Sequence, residues 1–276
     1  MRIVDLHNDV ITEMDDEKFL KYIADVERNG VDVVLLSIWT TRMVNPLNEI
    51  RMARQKIDNI ETSVKLLLHV EDAWFINEQN LDELVSLRPF SVGITWNSDN
   101  DLAGGAYGEG DLTNLGRIVI KRLVQEGIAI DVAHLNRKSF HSVINFIKPL
   151  DAKVFCSHTC IDYVNPHPRN LDDAQIKELI NMDGIIGLTL VGDFLNSDNV
   201  ARMNDVYCHI QCFIEKFGSD NLAIGTDFFG TANLPKGLNG YKDFKKLKRF
   251  FVKKGLSVET IDKIFYLNAW RFVSYI

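Results

Sequence analysis

The sequence predicts an α/β fold, the (β/α)₈ or TIM barrel. Eight short apolar runs rich in Val, Ile and Leu recur along the 276 residues, and helical periodicity follows most of them. The runs lack polar–apolar alternation, which is typical of strands buried on both faces, as in parallel sheets. Eight strand–helix repeats fit a barrel better than an open, doubly wound sheet.

Each predicted element can be placed along the chain. Strands are expected at residues 2–6, 31–38, 64–70, 90–95, 128–132, 153–156, 185–190 and 222–225. Amphipathic helices are expected between them, for example at residues 17–28, 46–61, 114–126 and 172–181. A closing helix at residues 257–275 would begin with Ser257 as its N-cap. Because no linker is visible, residues 1–276 are predicted to form one barrel domain.

The charge pattern argues against nucleic acid and membranes as partners. The formal net charge is −7, and the dense basic stretch at residues 242–254 carries apolar residues at helical spacing. It is therefore predicted to be the solvated face of an amphipathic helix. No window approaches the roughly 18 uncharged apolar residues of a membrane span, and the N-terminus lacks a signal segment. A cytoplasmic location is expected.

The four cysteines form two C-x-x-x-C pairs, Cys156 with Cys160 and Cys208 with Cys212. A Cys₄ zinc site is one interpretation, but structural zinc sites usually use shorter C-x₂-C loops, and the second pair lies in a helical pattern. Buried free thiols are the predicted state.

Side chains that can bind metals follow five of the predicted strands. The active site of a TIM barrel lies at the C-terminal ends of its strands, so these side chains are expected to meet at one rim. Residues 5, 7 and 9 share one parity, which predicts that they face the barrel axis. The strand-end residues are Asp5, His7, Asp9, His69, Glu71, Asp131, His134, His158 and Asp227.

The chemistry of these side chains indicates a metal-dependent hydrolase. Imidazole and carboxylate ligands together suit Zn²⁺ or a similar divalent metal. One carboxylate can bridge two ions about 3.5–4 Å apart, and such a pair can hold a hydroxide at neutral pH. Asp227, at the end of the eighth strand, is predicted to carry protons for that hydroxide.

Six motifs occur in the order typical of one enzyme family. They are DLHNDV, the lone Glu71 after the third strand, IDVAH, FCSH, HPRNLDD and IGTDFFG. In this order they resemble the membrane (renal) dipeptidase family of metallopeptidases, in the amidohydrolase superfamily. Many amidohydrolases begin with H-x-H and bridge their metals through a carbamylated lysine. Here Asp9 stands in place of the second His and no Lys ends strand four, which favours the dipeptidase branch.

The resemblance implies a zinc-dependent dipeptidase with two Zn²⁺ ions, or similar divalent ions. His7 and Asp9 would bind one ion, His134 and His158 the other, and Glu71 would bridge them. The substrate would be a small molecule, a dipeptide.

The resemblance also implies roles outside the metal ligands. Asp227 would be the acid/base residue, and Arg169, in PRN, would pair with the substrate carboxylate with help from Asn170. Trp96 stands where better-known members have a histidine that stabilises the tetrahedral intermediate. It is predicted to line the substrate pocket, and substrate choice is open for that reason.

Several alternatives remain at the level of the sequence. His69 is predicted to be a core histidine one layer below Glu71, while Asp5 and Asp131 either orient ligand imidazoles or accept backbone hydrogen bonds. Residues 97–111 are predicted to form a flexible rim loop. Surface positions on helices or loops are predicted for His141, His167 and His209.

The function also has rivals. One is another amidohydrolase activity on the same metals, such as an amidase, an N-acyl-amino-acid hydrolase or a lactonase. Another is a metal-binding barrel with weak catalysis. A homodimer is possible, but no interface can be located in the sequence.

Overall fold

The computed structural model describes residues 2–41, 43–198 and 200–274. Eight parallel strands form a closed barrel in chain order, with β1 paired to both β2 and β8, as the sequence predicts. The strands are β1 Ile3–Asn8, β2 Val31–Trp39, β3 Lys65–Glu71, β4 Ser91–Gly93, β5 Ala129–Asp131, β6 Val154–Thr159, β7 Ile185–Leu188 and β8 Leu222–Ile224.

Helices surround the barrel at the predicted positions, most of them to within three residues. Their bounds are α1 Val10–Glu13, α2 Asp16–Arg28, α3 Pro46–Asp58, α4 Leu81–Ser86, α5 Asn114–Gln125, α6 Arg137–Ile147, α7 Asp173–Asn181, α8 Gly192–Leu195, α9 Met203–Phe217, α10 Phe244–Lys253, α11 Val258–Asp262 and α12 Asn268–Ser274. A π-helical turn, Lys263–Leu267, joins α11 to α12. Ser257 caps α11 as expected, because its side chain accepts a hydrogen bond from Thr260 N.

The apolar core has two layers. The larger layer fills the space between strands and helices. As predicted, α10 buries Phe244, Leu247 and Phe251 in it, while Lys245, Lys246 and Lys253 are exposed and Lys248 is half-buried. The smaller layer fills the barrel interior below the rim and includes residues of α12, which therefore closes the lower end. Its members are Val4, Leu6, Val33, Leu35, Phe90, Ala129, Phe155, Ile185, Ala223, Tyr266, Ala269, Phe272 and Val273.

The loop at residues 97–111 is irregular, as predicted, and one side chain ties together several points along it. The Asp99 carboxylate accepts hydrogen bonds from the backbone N–H groups of Gly105, Glu109 and Gly110, at 2.9–3.1 Å. One side chain thus holds three separate points of the loop, because a carboxylate offers several lone pairs.

The cysteine prediction is half right. All four thiols are free, and Cys156 and Cys160 are buried in β6 and the residue after it. Cys208 is exposed and Cys212 half-buried, because the helix α9 turns them away from the barrel.

In the part of the chain that the structure describes, no helix is long and apolar enough to cross a membrane.

The interior layer should determine much of the stability. Phe155 is fully buried, with its ring centroid 5.2 Å from that of Phe272. Replacing Phe155 by Ala leaves a cavity that the closed barrel cannot fill, so a loss of about 3–5 kcal/mol in the free energy of unfolding is expected. Urea denaturation measures it. The exposed Val258→Ala should change the same quantity by less than about 0.5 kcal/mol, and equal effects would contradict this core.

Candidate metal centre

All five predicted metal ligands lie at the C-terminal end of the barrel, and all are buried. His7 is in β1 and Asp9 directly follows it, while Glu71 ends β3. His134 follows β5 by three residues, and His158 lies in β6. The structure therefore brings together side chains that are up to 151 positions apart in sequence (158 − 7).

The Glu71 carboxylate lies at the centre of this cluster. Its Oε1 is 2.8 Å from His134 Nε2 and 3.8 Å from His158 Nε2. Its Oε2 is 3.8 Å from His7 Nε2. The two oxygens of one carboxylate thus contact different histidines, in a cluster whose rings are close together, with the centroids of His7 and His158 3.8 Å apart.

The donor set fits divalent cations. His134 Nε2 and His158 Nε2 are only 2.9 Å apart, so two imidazole nitrogens and a carboxylate oxygen turn their lone pairs to one place. His7 Nε2 and Asp9 Oδ2 are 3.4 Å apart, and neither has a hydrogen-bond partner in the described part of the chain. Buried polar atoms are rarely left unsatisfied, and a cation beside each group would satisfy them.

The pKa values in the cluster are displaced in opposite directions. Burial opposes the charged form of His7, but the carboxylates of Asp9 and Glu71 outweigh it and raise its pKa to about 10. Burial also disfavours the charge of Glu71, yet the neighbouring imidazoles, His7 first, lower its pKa to about 2. Burial and the Arg169 charge lower the pKa of His134 to about 4. Such divergent values are typical of functional sites.

Two residues that the sequence did not single out contact the outer nitrogens of these histidines. Asn97 Oδ1 is 2.9 Å from His134 Nδ1, and Ser157 Oγ is close to Nδ1 of both His7 and His158. Ser157 shares the parity of the interior residue Phe155 in β6, which was the available signal. No comparable signal marked Asn97 in its irregular loop.

Asp227 faces the same cluster from the end of β8. Its Oδ1 is 3.9 Å from His7 Nε2, and burial together with the Asp9 carboxylate raises its pKa well above the ordinary range. Asp227 and His134 both have positive φ, +59° and +68°. Residues other than glycine rarely adopt this conformation, and such strained residues cluster at active sites.

A cavity of about 270 Å³ opens onto the cluster. Asp9, Glu71, His134, His158 and Asp227 reach its surface, and the rest of its wall is largely aromatic or polar. That wall includes Trp39, Trp96, Asn97, Phe194, Phe229 and Thr231.

The three predicted substrate residues occupy different surroundings. Trp96 lies on the cavity wall, with its ring 6.0 Å from that of His134. Arg169 is buried and does not itself line the cavity, but its Nη2 is 2.7 Å from Nε2 of His158, which does. Asn170 is also buried and does not line the cavity, because its amide makes hydrogen bonds to the backbone of Cys160, Asn165 and Phe194.

The remaining histidines and acids clarify the other predictions. His69 is a core residue as expected, with Nδ1 2.8 Å from Ser91 Oγ and Nε2 3.3 Å from the Asp131 carboxylate. Asp131 fits the second open interpretation, since its carboxylate accepts from the backbone N–H groups of Ala133 and Ser157, and the imidazole beside it, that of His69, is not a proposed metal ligand. The surface position of His209 is wrong: the ring is buried, accepts from Ile161 N and bonds Leu195 O.

Asp5 is not part of the cluster. Its carboxylate accepts hydrogen bonds from Thr226 N and Oγ1 and from the Tyr241 hydroxyl, a residue of the outer core. The prediction that Asp5 faces the barrel axis together with His7 and Asp9 is therefore wrong. A register shift between Asp5 and Asn8 in the pairing of β1 with β2 interrupts the alternation, so that His7 reaches the interior.

A parallel (β/α)₈ barrel that collects buried histidines and carboxylates around a small cavity at its mouth defines a metal-dependent hydrolase. Residues 59–276 match the membrane dipeptidase family, peptidase family M19, and the chain belongs to that family. The predicted family and its enzyme class, a metallo-dipeptidase, are thereby confirmed. Membership also implies that the protein binds a divalent metal.

The chain is also similar to individual proteins. A Klebsiella pneumoniae protein, described as an uncharacterized protein in the pqqA 5' region, is 27% identical over 221 residues, 75% of this chain and 80% of that protein. Dipeptidase ataJ of Aspergillus terreus is 31% identical over 147 residues, 52% of this chain. The chain covers only 35% of that fungal protein's length.

Solved structures share the fold. The M19 metallopeptidase named dipeptidase AC has a TM-score of 0.85 at 19% identity, covering 99% of this chain and 98% of its own. A metallopeptidase from Rhodobacter sphaeroides, solved with a phosphinate mimic of the dipeptide L-Ala-D-Ala, has a TM-score of 0.82 at 19% identity and covers 99% of both chains.

A glycine beside the acidic pair tests the packing of the site. A Cβ on Gly230 would overlap Asp227 Oδ1 and lie 2.5 Å from Asp9 Oδ2. Gly230→Ala should therefore displace both carboxylates and reduce metal content and turnover at least tenfold, with a smaller effect on thermal unfolding. In the control Gly93→Ala, the added Cβ meets its neighbours at 3.7–3.8 Å, so both quantities should be nearly unchanged. Full activity of Gly230→Ala would contradict this geometry.

Proposed function

We propose that this protein hydrolyses the peptide bond of dipeptides with two Zn²⁺ ions, or similar divalent ions, at the mouth of its barrel. The observation that carries the proposal is the position of Glu71, whose Oε2 is nearest His7 while its Oε1 is nearest His134 and His158. In this assignment His7 and Asp9 would hold one ion, His134 and His158 the other, and Glu71 would bridge them.

The bound ions would supply a Lewis acid for the scissile carbonyl and a water of lowered pKa. Asp227 supplies what the metals cannot, a proton carrier at the edge of the cavity. Its raised pKa, caused by burial and by the Asp9 carboxylate, means that it holds a proton more readily than an ordinary aspartate. We assign it the transfer of a proton to the leaving amine nitrogen.

The size of the cavity supports a small substrate. Its volume of about 270 Å³ lies near the lower end for small-molecule pockets, about 300–1,000 Å³. Arg169 would pair with the C-terminal carboxylate, because its buried Nε has no hydrogen-bond partner in the described residues and its planar fork matches a carboxylate. Asn170 would support this loop through its backbone contacts, and Trp96 would contact the substrate from the cavity wall.

Trp96 also favours a second candidate function. By the resemblance, its ring stands where better-known members of the family have a histidine, and it packs against Trp39 with ring centroids 5.1 Å apart. An apolar wall of this kind would suit an acyl group, so N-acyl-amino acids, amides and lactones belong in the same substrate screen. A cytoplasmic location and a homodimer stay predictions.

The role of Asp227 is tested by Asp227→Asn. Because the amide cannot exchange a proton at neutral pH, the variant should lose at least about 100-fold in kcat on dipeptides while its metal content stays near that of the wild type. Release of amino acids from a dipeptide panel with Zn²⁺ measures kcat. The matched control is Asp193→Asn, an exposed carboxylate near the rim, which should be nearly neutral. A fully active Asp227→Asn would refute the assigned role.

The role of Arg169 is tested by changing the enzyme and the substrate together. Wild-type protein should prefer a dipeptide to the same dipeptide with an amidated C-terminus, because amidation removes the carboxylate that the guanidinium binds. Arg169→Met should raise KM for the dipeptide and remove most of this preference. If Arg169→Met discriminates between the two substrates as well as the wild type does, the carboxylate is bound elsewhere.

A further inference from the structure

One buried hydroxyl lies against two of the proposed ligand histidines. Ser157 Oγ is 3.2 Å from His7 Nδ1 and 2.8 Å from His158 Nδ1, and all three residues are buried. His134 differs, because its Nδ1 is 2.9 Å from Asn97 Oδ1.

We infer that Ser157 is a positioning residue that orients one ligand imidazole in each of the two metal positions, and so sets the affinity of both. The inference rests on the proposed function, since it takes His7 and His158 as ligands of different ions. A neutral imidazole that offers Nε2 to a metal carries its proton on Nδ1, and the acceptor of that proton fixes the ring. One hydroxyl oxygen has two lone pairs and can accept from both rings.

The contact between Arg169 and His158 supports this arrangement of protons. A guanidinium has donors only, so Nε2 of His158, 2.7 Å from Arg169 Nη2, acts as the acceptor. The proton of the neutral ring is then on Nδ1, where it faces Ser157 Oγ. Nε2 of the neutral ring therefore carries a lone pair and no proton, as a metal ligand requires.

The position of Ser157 is itself fixed by the barrel. Its backbone N–H donates to the Asp131 carboxylate at 2.9 Å. Its carbonyl oxygen packs so closely against Gly187 and Gly225 that a Cβ on either glycine would overlap it. The hydroxyl thus starts from a rigid strand, which is what a residue that orients ligands requires.

The test compares Zn²⁺ affinities of three variants. Ser157→Ala should weaken both sites, each by about 10–100-fold, the usual cost of removing such a partner. Asn97→Ala should weaken only the site that includes His134. Ser91→Ala is the matched control, because Ser91 Oγ is buried at 2.8 Å from Nδ1 of His69, which is not a proposed ligand, and neither site should change.

Chelator competition on metal-free protein gives both dissociation constants, and thermal unfolding of the same samples checks folding. Should Ser157→Ala not fold, Ser157→Cys serves the same comparison, because a thiol is a weaker acceptor and should also weaken both sites.

The outcomes separate the inference from the proposed function. Wild-type protein that does not bind two ions overturns the proposed function, and the inference with it. Wild-type protein with two sites, combined with a folded Ser157→Ala that keeps its affinity at either site, overturns the inference alone.

Discussion

The structure depends on a single electrostatic constraint, the burial of an ionised carboxylate among imidazoles that all turn toward it. Glu71 Oε1 is 2.8 Å from His134 Nε2, and His158 Nε2 is 2.9 Å from the same nitrogen. Lone pairs this close repel one another unless a proton or a metal ion lies between them. Water cannot relieve the cluster freely, since its members are buried. Only a rigid frame can hold such a set in place, and the closed barrel supplies it.

The backbone at the rim of the barrel is strained at three residues. Asp72, His134 and Asp227 each follow a strand and each have positive φ. Such residues cost about 1–3 kcal/mol each and persist only where the surrounding structure determines them. Here the two apolar layers, with α12 closing the lower end, provide the offsetting stability. Below the rim the barrel interior is filled by apolar side chains, whereas at the rim it contains the buried histidines and carboxylates of the cluster.

Much of this arrangement could be predicted from the sequence, and the exceptions have physical causes. Continuous β-branched runs identify the eight strands. Because the C-terminal ends of the strands of a parallel barrel meet at one rim, the sequence also predicts that His7, Glu71 and His158 lie close together. Alternation failed for Asp5 because a register shift in β1 leaves no mark in the sequence. The contacts of Asn97 and Ser157 depend on the path of a loop and on side-chain direction. His209 is buried because it lies on the inward face of α9 with Val206, Ile210 and Phe213, and this helical spacing was a signal that the sequence did offer.

The most direct test of the central claim is anomalous diffraction at the zinc edge from crystals of the Zn²⁺-loaded protein. Two peaks about 3.5–4 Å apart are expected, with the Glu71 carboxylate between them, His7 and Asp9 beside one peak, and His134 and His158 beside the other. A single peak, or peaks that lie away from Glu71, would contradict the claim that this carboxylate joins two metal positions.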